Sequence, residues 1–131
     1  MTIVGDDIKD LLEGESSLGL TYLGNMFVGH EPPEPDNTVT IYDISGSPPQ
    51  TTFQKGENYF YDSIQIRIRN NNYKEAGELA HDIVNFLHRR AHFTINGVYY
   101  SAIDCSIPPA FLDRDENGRA RWVVSFDIQR R

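Results

Sequence analysis

Cysteine is nearly absent. Cys105 is the sole thiol in 131 residues, so neither an intramolecular disulfide nor a cysteine-built zinc site can form. It lies in an apolar stretch and reads as a buried, inert thiol rather than a nucleophile. Long apolar runs are missing too; none approaches the roughly 18 residues of a membrane-spanning helix. The opening Met1-Thr2-Ile3-Val4-Gly5-Asp6-Asp7 lacks the basic start and apolar core of a signal peptide. Synthesis in a cytoplasm, with no membrane contact, is the expectation. Cations are in short supply, with 12 Lys and Arg against 19 Asp and Glu and a net charge of −7. That balance argues against a surface devoted to phosphate, while leaving room for a local basic patch.

Chemical motifs are missing as well. No glycine-rich phosphate loop, Walker loop or Gly-x-Ser-x-Gly elbow occurs, and no local context raises the serines, histidines and aspartates to a triad. His81 and His88 stand seven apart on one helix face, where a zinc site wants an i, i+4 pair with a carboxylate. Solvated or helix-end histidines are the preferred reading. Asp113-x-Asp115-x-Asn117-Gly118 opens like a calcium loop, but the twelfth position is Val124 instead of the bidentate glutamate. A hairpin turn explains that segment better. The expectation is a protein that is not an enzyme and carries no cofactor or metal.

What is present is a composition of 39% hydrophobic and 24% charged residues, that of one soluble globular domain. Ile8, Leu11 and Leu12 on one side, with Asp6, Asp7, Lys9, Asp10 and Glu13 on the other, predict a short helix over residues 6–13, stopped by Gly14. A strand is expected near Asn25–Val28. Pro32, Pro33 and Pro35 make residues 30–37 a loop. Thr38–Ile44 reads as a strand, and residues 45–58, with Gly46, Pro48, Pro49 and Gly56, as a second long loop. Two such loops in a small domain point to partners met through loops.

Tyr59–Arg69 alternates with period 2, placing Ile64, Ile66 and Ile68 on one face and Ser63, Gln65, Arg67 and Arg69 on the other. Asn72 with Glu75 has capping-box spacing. Tyr73, Ala76, Gly77, Ala80, Ile83, Val84 and Leu87 then form one stripe of a helix over 72–90, whose small residues allow close approach to a sheet. Its basic end, His88-Arg89-Arg90, suits the dipole. Asn96-Gly97 marks a hairpin, with the following strand stopped near Ile107 by Pro108-Pro109. A polar turn over 113–119 leads to a last strand around Trp122, Val124, Phe126 and Ile128. The order predicts an α+β fold: a mainly antiparallel sheet packed on one face by the central helix and the short N-terminal one. Arg67 and Arg69, with Tyr59 and Tyr61 upstream, have the ingredients of a nucleic-acid platform. A salt-bridged sheet face or a subunit contact is preferred, given the acidic chain.

Several pieces, taken in order, resemble a known family: Asn25-Met26-Phe27-Val28-Gly29 before the proline loop, Asp36–Asp43, the strand Ile64–Arg69, and Asn72-Tyr73-Lys74-Glu75-Ala76. Phe93–Gly97 and Arg114–Arg119 complete the set. From about residue 5 onward the chain is similar to the small tail-terminator and minor-capsid proteins of tailed bacteriophages. The resemblance implies a virion protein without chemistry, which forms a homo-oligomeric ring, typically a hexamer, on the tail tube. Such a ring stops tube polymerisation and offers a surface to the head connector or neck protein. DNA passes its lumen without specific binding, and an acidic surface would repel it. On that reading the candidate subunit or partner contacts are Arg67, Arg69, Pro32, Pro33, Pro35, Phe53, Lys55, Arg114, Asp115, Glu116, Asn117 and Arg119. The alternatives are a head–tail joining or tail completion protein, and a small nucleic-acid- or peptide-binding domain.

Overall fold

The computed structural model describes residues 2–51 and 58–131. Helix α1 (Val4–Gly14) opens the chain, followed by strands β1 (Met26–Val28), β2 (Thr38–Thr51) and β3 (Asn58–Asn70). Helix α2 (Tyr73–Leu87) comes next, then β4 (Ala91–Ile95), β5 (Val98–Arg114) and β6 (Ala120–Arg130). The strands form one sheet in the order β1-β2-β3-β6-β5-β4, antiparallel except for the β1–β2 pair. Both helices pack on one face of it, which makes the α+β layering expected from the sequence.

The core follows from the period-2 pattern. Val39 and Ile41 pair with Ile68 and Ile66, and these with Trp122 and Val124, so one face carries a continuous apolar band. Ile64, Ile66, Ile68, Val124 and Phe126 are buried there against Ile8 and Leu12 of α1 and Ala76, Ala80, Ile83 and Leu87 of α2. Gly77 is where the helix comes closest: a Cβ at this position would lie 2.9 Å from the Trp122 ring. The small-residue stripe thus seats α2 on an indole.

Asn72 caps α2 by accepting from the amides of Lys74 and Glu75 at 2.9 and 3.2 Å. The reciprocal half of a capping box goes to Asn70 rather than Glu75: its Oδ1 accepts the Asn72 amide at 2.8 Å. The helix ends at Leu87, three residues before the expected limit, because Arg89 adopts φ 66° and the chain pairs with β5 around Ile103. Arg90 still serves the C-terminal end, donating to the Phe86 carbonyl at 3.2 Å. Asn96 and Gly97 both take positive φ, as a tight two-residue hairpin requires.

Two expectations fail for one reason. Residues 45–51 are strand rather than loop, and β5 continues through Pro108-Pro109 to Arg114. Both Pro-Pro pairs occupy bulges. Between Ser47↔Tyr61 and Gln50↔Tyr59, Pro48 and Pro49 oppose Phe60; between Ile107↔Ser125 and Ala110↔Val123, Pro108 and Pro109 oppose Val124. A bulge absorbs the missing amide, and proline survives in a sheet only at such places or on an edge. Gly46 sits at a further bulge, where a Cβ would collide with the Tyr61 carbonyl at 2.1 Å.

Asp7, read as a solvent-side residue of α1, is fully buried. It accepts from Thr2 Oγ1 at 2.7 and 2.8 Å, from Asn96 Nδ2 at 2.7 Å and from the Tyr100 hydroxyl, with Arg130 Nη1 at 4.0 Å. Burial, then the Asp7 carboxylate, push the Tyr100 phenol well above its usual range, so it remains a donor. The network ties α1 to the β4–β5 hairpin and the end of β6.

Candidate functional site

The proline loop cannot satisfy itself. Three of its residues have no N–H to donate, so its carbonyls must find donors elsewhere. Two buried arginines supply them. Arg69, on β3 and 3% exposed, donates from Nη2 to Pro35 O at 2.7 Å, from Nε to Asp36 O at 3.2 Å and from Nη1 to Glu31 Oε1 at 3.0 Å. Arg119, 5% exposed and immediately before β6, donates from Nη1 to Pro33 O at 2.6 Å and Asp36 Oδ1 at 3.2 Å. Its Nε reaches Asp115 Oδ2 at 2.6 Å. Asn71 adds its amide to Asn37 Oδ1 and its side chain to Asp36 Oδ2, both at 3.1 Å.

The 113–119 hairpin is built by the same carboxylates. Asp115 Oδ1 accepts from the amides of Asn117 and Arg119 at 3.0 and 2.9 Å, which closes the turn that Gly118 completes at φ 75°. Asp113 is gripped bidentately by Arg121 at 2.6 and 2.7 Å, and Arg114 Nη1 donates to Gly118 O at 2.9 Å. The carboxylates resembling calcium ligands are thus committed to arginines and amides. Among the described residues no group of three or more His, Cys, Asp and Glu is suited to a metal ion.

Of the twelve candidates, Pro33, Pro35, Arg69, Asp115 and Arg119 meet in this one network. Arg114, Glu116 and Asn117 line, with Pro33, Arg69, Asp115 and Arg119 among others, a cleft of about 420 Å³ between loop and hairpin. Pro32 belongs to the same loop and is half-buried. Arg69 and Arg119 are too buried to offer themselves to a partner; what they present is the loop and hairpin they hold. Arg67 lies apart, half-buried on the sheet face that no helix covers. Phe53 and Lys55 lie outside the described residues. Glu31, Asp36 and Arg121 belong to the network but were not among the candidates, since the contacts joining them to Arg69, Arg119 and the loop lie far along the chain. The cross-strand register setting Arg121 beside Arg69 is the signal that would have found one of them.

This end of the molecule has a pH dependence of definite sign. The hydrogen bond from Arg121 holds the Asp113 carboxyl below its ordinary value. For Asp115, burial works upward but is outweighed by hydrogen bonds from Arg119 and Asn117, and the net direction is also down. A carboxyl depressed in the folded state contributes stability that is complete above its unfolded pKa of about 4 and is lost as pH falls through the folded value. Amide exchange at Asn117 and Arg119 is therefore expected to lose protection below about pH 4, before the core strands do. Simultaneous loss in both would contradict this.

The opposite end of the long strands is different. Ser45, Gly46, Ser47, Tyr61, Asp104 and Asp127 help line a second cleft, of about 380 Å³. Asp104 and Asp127 are directly opposed across β5 and β6, and Ser63 Oγ donates to Asp127 at 2.7 Å. Cys105, beside this pair, is half-buried, and desolvation pushes its thiol up, away from reactivity.

Among the described residues no helix is long and apolar enough to cross a membrane. Residues 5–131 match the model of a family described as bacteriophage tail terminator protein, and the chain belongs to that family. No curated protein matches it. Membership gives it a structural role in the phage tail.

Proposed function

We propose that this bacteriophage tail terminator caps the tail tube as a closed ring, of six copies by the family's habit. The ring ends tube polymerisation and gives the head connector a surface to dock on. The observation that carries the reading is the separation of two contact-ready regions. The loop and hairpin stand at the Thr38/Arg69 end of β2 and β3, and the 45–51 extension stands at the other end, a strand length of roughly 40 Å away. A cap between tube and connector needs two unlike axial surfaces, and the protein's two strand ends differ in chemistry. Around the ring, a heterologous closed assembly needs two unlike lateral faces as well. The helix-covered face and the bare sheet face supply them. A net charge of −7 suits a lumen through which DNA slides without adhering. The finished protein then resides in the virion.

Electron microscopy of particles from a phage lacking only this gene tests the proposal. Overlong or ragged tubes beside DNA-filled heads are the expected outcome. Tails of normal length that fail to attach would reassign the protein to head–tail joining. Normal infectious particles would overturn both roles.

A further inference from the structure

The sheet's long unpaired edges are closed to strand addition. Among the described residues, nothing pairs with the outer side of β2 beyond Ile44 or of β5 beyond Cys105. Each segment carries its Pro-Pro bulge there, which breaks the row of amides a new strand would need. Along these two segments a neighbouring subunit is left with side chains on a face, and the outer strands β1 and β4 offer only short edges of three and five residues.

The bare face has one cation ready for that. Nearly every other described arginine side chain is engaged: Arg69, Arg119, Arg121 and Arg130 by carboxylates, Arg90 and Arg114 by carbonyls, and Arg131 by aromatic rings. Arg67 is half-buried and fixed in direction. Its Nε donates to Gln65 Oε1 at 3.0 Å, and its guanidinium lies 5.3 Å from the Tyr42 ring centroid. Neither Nη1 nor Nη2 has a hydrogen-bond partner among the described residues. Asp113, whose carboxyl feels the Arg67 charge, gives both oxygens to Arg121. Beside Arg67 in register, Thr40 on β2 is fully buried with its hydroxyl unpartnered. Ser125 on β6, opposite Gln65, is 2% exposed and likewise unpartnered.

The complementary charge is on the molecule's other face. Glu75, Glu78 and Asp82 lie exposed on one stripe of α2, spaced by three and four residues. Their carboxylates have no ion-pair partner among the described residues. The stripe spans about 10 Å of helix at 1.5 Å per residue. Each copy thus carries an unpaired guanidinium on its sheet face and an unpaired acidic row on its helix face.

Resting on the ring reading above, we infer that the Arg67 face of one subunit docks on the Glu75–Glu78–Asp82 stripe of α2 in the next copy. Arg67 forks a carboxylate through Nη1 and Nη2 there. Because the two faces are different surfaces on opposite sides of a two-layer molecule, the contact is head-to-tail, and repetition closes a ring.

Charge reversal tests this in the full chain, followed by native mass spectrometry and sedimentation, with the thermal transition of each variant checking its fold. Arg67→Glu and Glu78→Arg are each expected to weaken assembly about tenfold or more, and the double variant to recover most of it. Singles that assemble like the wild type, or a double variant no better than either single, would overturn the contact while leaving the ring intact. A wild type that forms no ring in solution or in virions would overturn the ring reading and this contact together. If Arg67→Gln assembles normally but loses low-salt binding of a short DNA duplex, Arg67 serves phosphate and the inference fails.

Discussion

Replacing Asp7 with alanine is expected to lower the free energy of unfolding by about 3–5 kcal/mol, a loss large beside the 5–15 kcal/mol typical of a whole domain. The magnitude follows from what the carboxylate holds. It is fully buried and takes hydrogen bonds from Thr2 near the N-terminus and from Asn96 and Tyr100 of the β4–β5 hairpin. Removing it leaves the buried Tyr100 hydroxyl without an acceptor, an orphan that costs about 1–3 kcal/mol, whereas the exposed Asn96 amide keeps Asp10 at 2.9 Å. Arg130 loses a neighbouring charge but keeps Asp62 at 2.8 Å, which limits the damage on that side. Urea denaturation gives the free energy, and thermal unfolding is expected to shift down by on the order of 10–20 °C. Tyr100→Phe, which removes one donor and preserves the ring, is expected to cost about 1–2 kcal/mol. A drop under 1 kcal/mol for Asp7→Ala would show that the network is not a stabilising centre.

Arg69→Ala is expected to cost a similar 3–5 kcal/mol and to leave a local signature that the first variant lacks. Glu31, at 11% side-chain exposure, would lose its 3.0 Å salt bridge and keep only Arg121 at 4.0 Å, and the carbonyls of Pro35 and Asp36 would lose their donors. The loop 30–37 is then held by Arg119 and Asn71, with Arg121 at 4.0 Å from Glu31 as a weaker tie. Limited proteolysis should cut there well before the sheet opens, whereas Asp7→Ala should protect that loop as the wild type does. Arg69→Lys retains the charge but replaces three fixed nitrogens with one, so it is expected to restore less than half of the loss. Wild-type proteolysis in Arg69→Ala would mean that the arginine is not what pins the loop. If the loop and hairpin are the docking surface, phage carrying Arg69→Ala should show the tail defect of the deletion even where the chain remains folded.

Strand β3, the Asn72 cap, the α2 stripe and the Asn96-Gly97 hairpin were legible because each is local: a period, a cap or a dipeptide decides it within a few residues. The bulges were not, because glycine and proline also punctuate loops. Only the register of a neighbouring strand tells that Gly46 and the Pro-Pro pairs sit inside β2 and β5. Asp7 was assigned to solvent on helical periodicity, and its partners lie 89 and 93 residues away at Asn96 and Tyr100. The site divides in the same way. The proline loop and the 113–119 hairpin were identifiable separately from composition and turn chemistry. Their union depends on Arg69 and Arg119, whose contacts with Pro35 and Pro33 span 34 and 86 residues. No reading of neighbours along the chain reaches that far. Arg67 and Arg69, alike in sequence, differ because the loop covers one and stops short of the other.

The place of β6 in the middle of the sheet bears on how the protein comes into being. Residues 120–130, made after everything they join, pair with β3 on one side and β5 on the other. Before they emerge from the ribosome, β1–β3 with α1 and β4–β5 with α2 are two half-sheets with no backbone pairing between them. Pairings this distant in sequence close slowly, and the apolar faces of both halves stay open in the meantime. A messenger cut short before codon 120 yields two half-sheets without the strand that pairs with both, so such a gene should behave as a null.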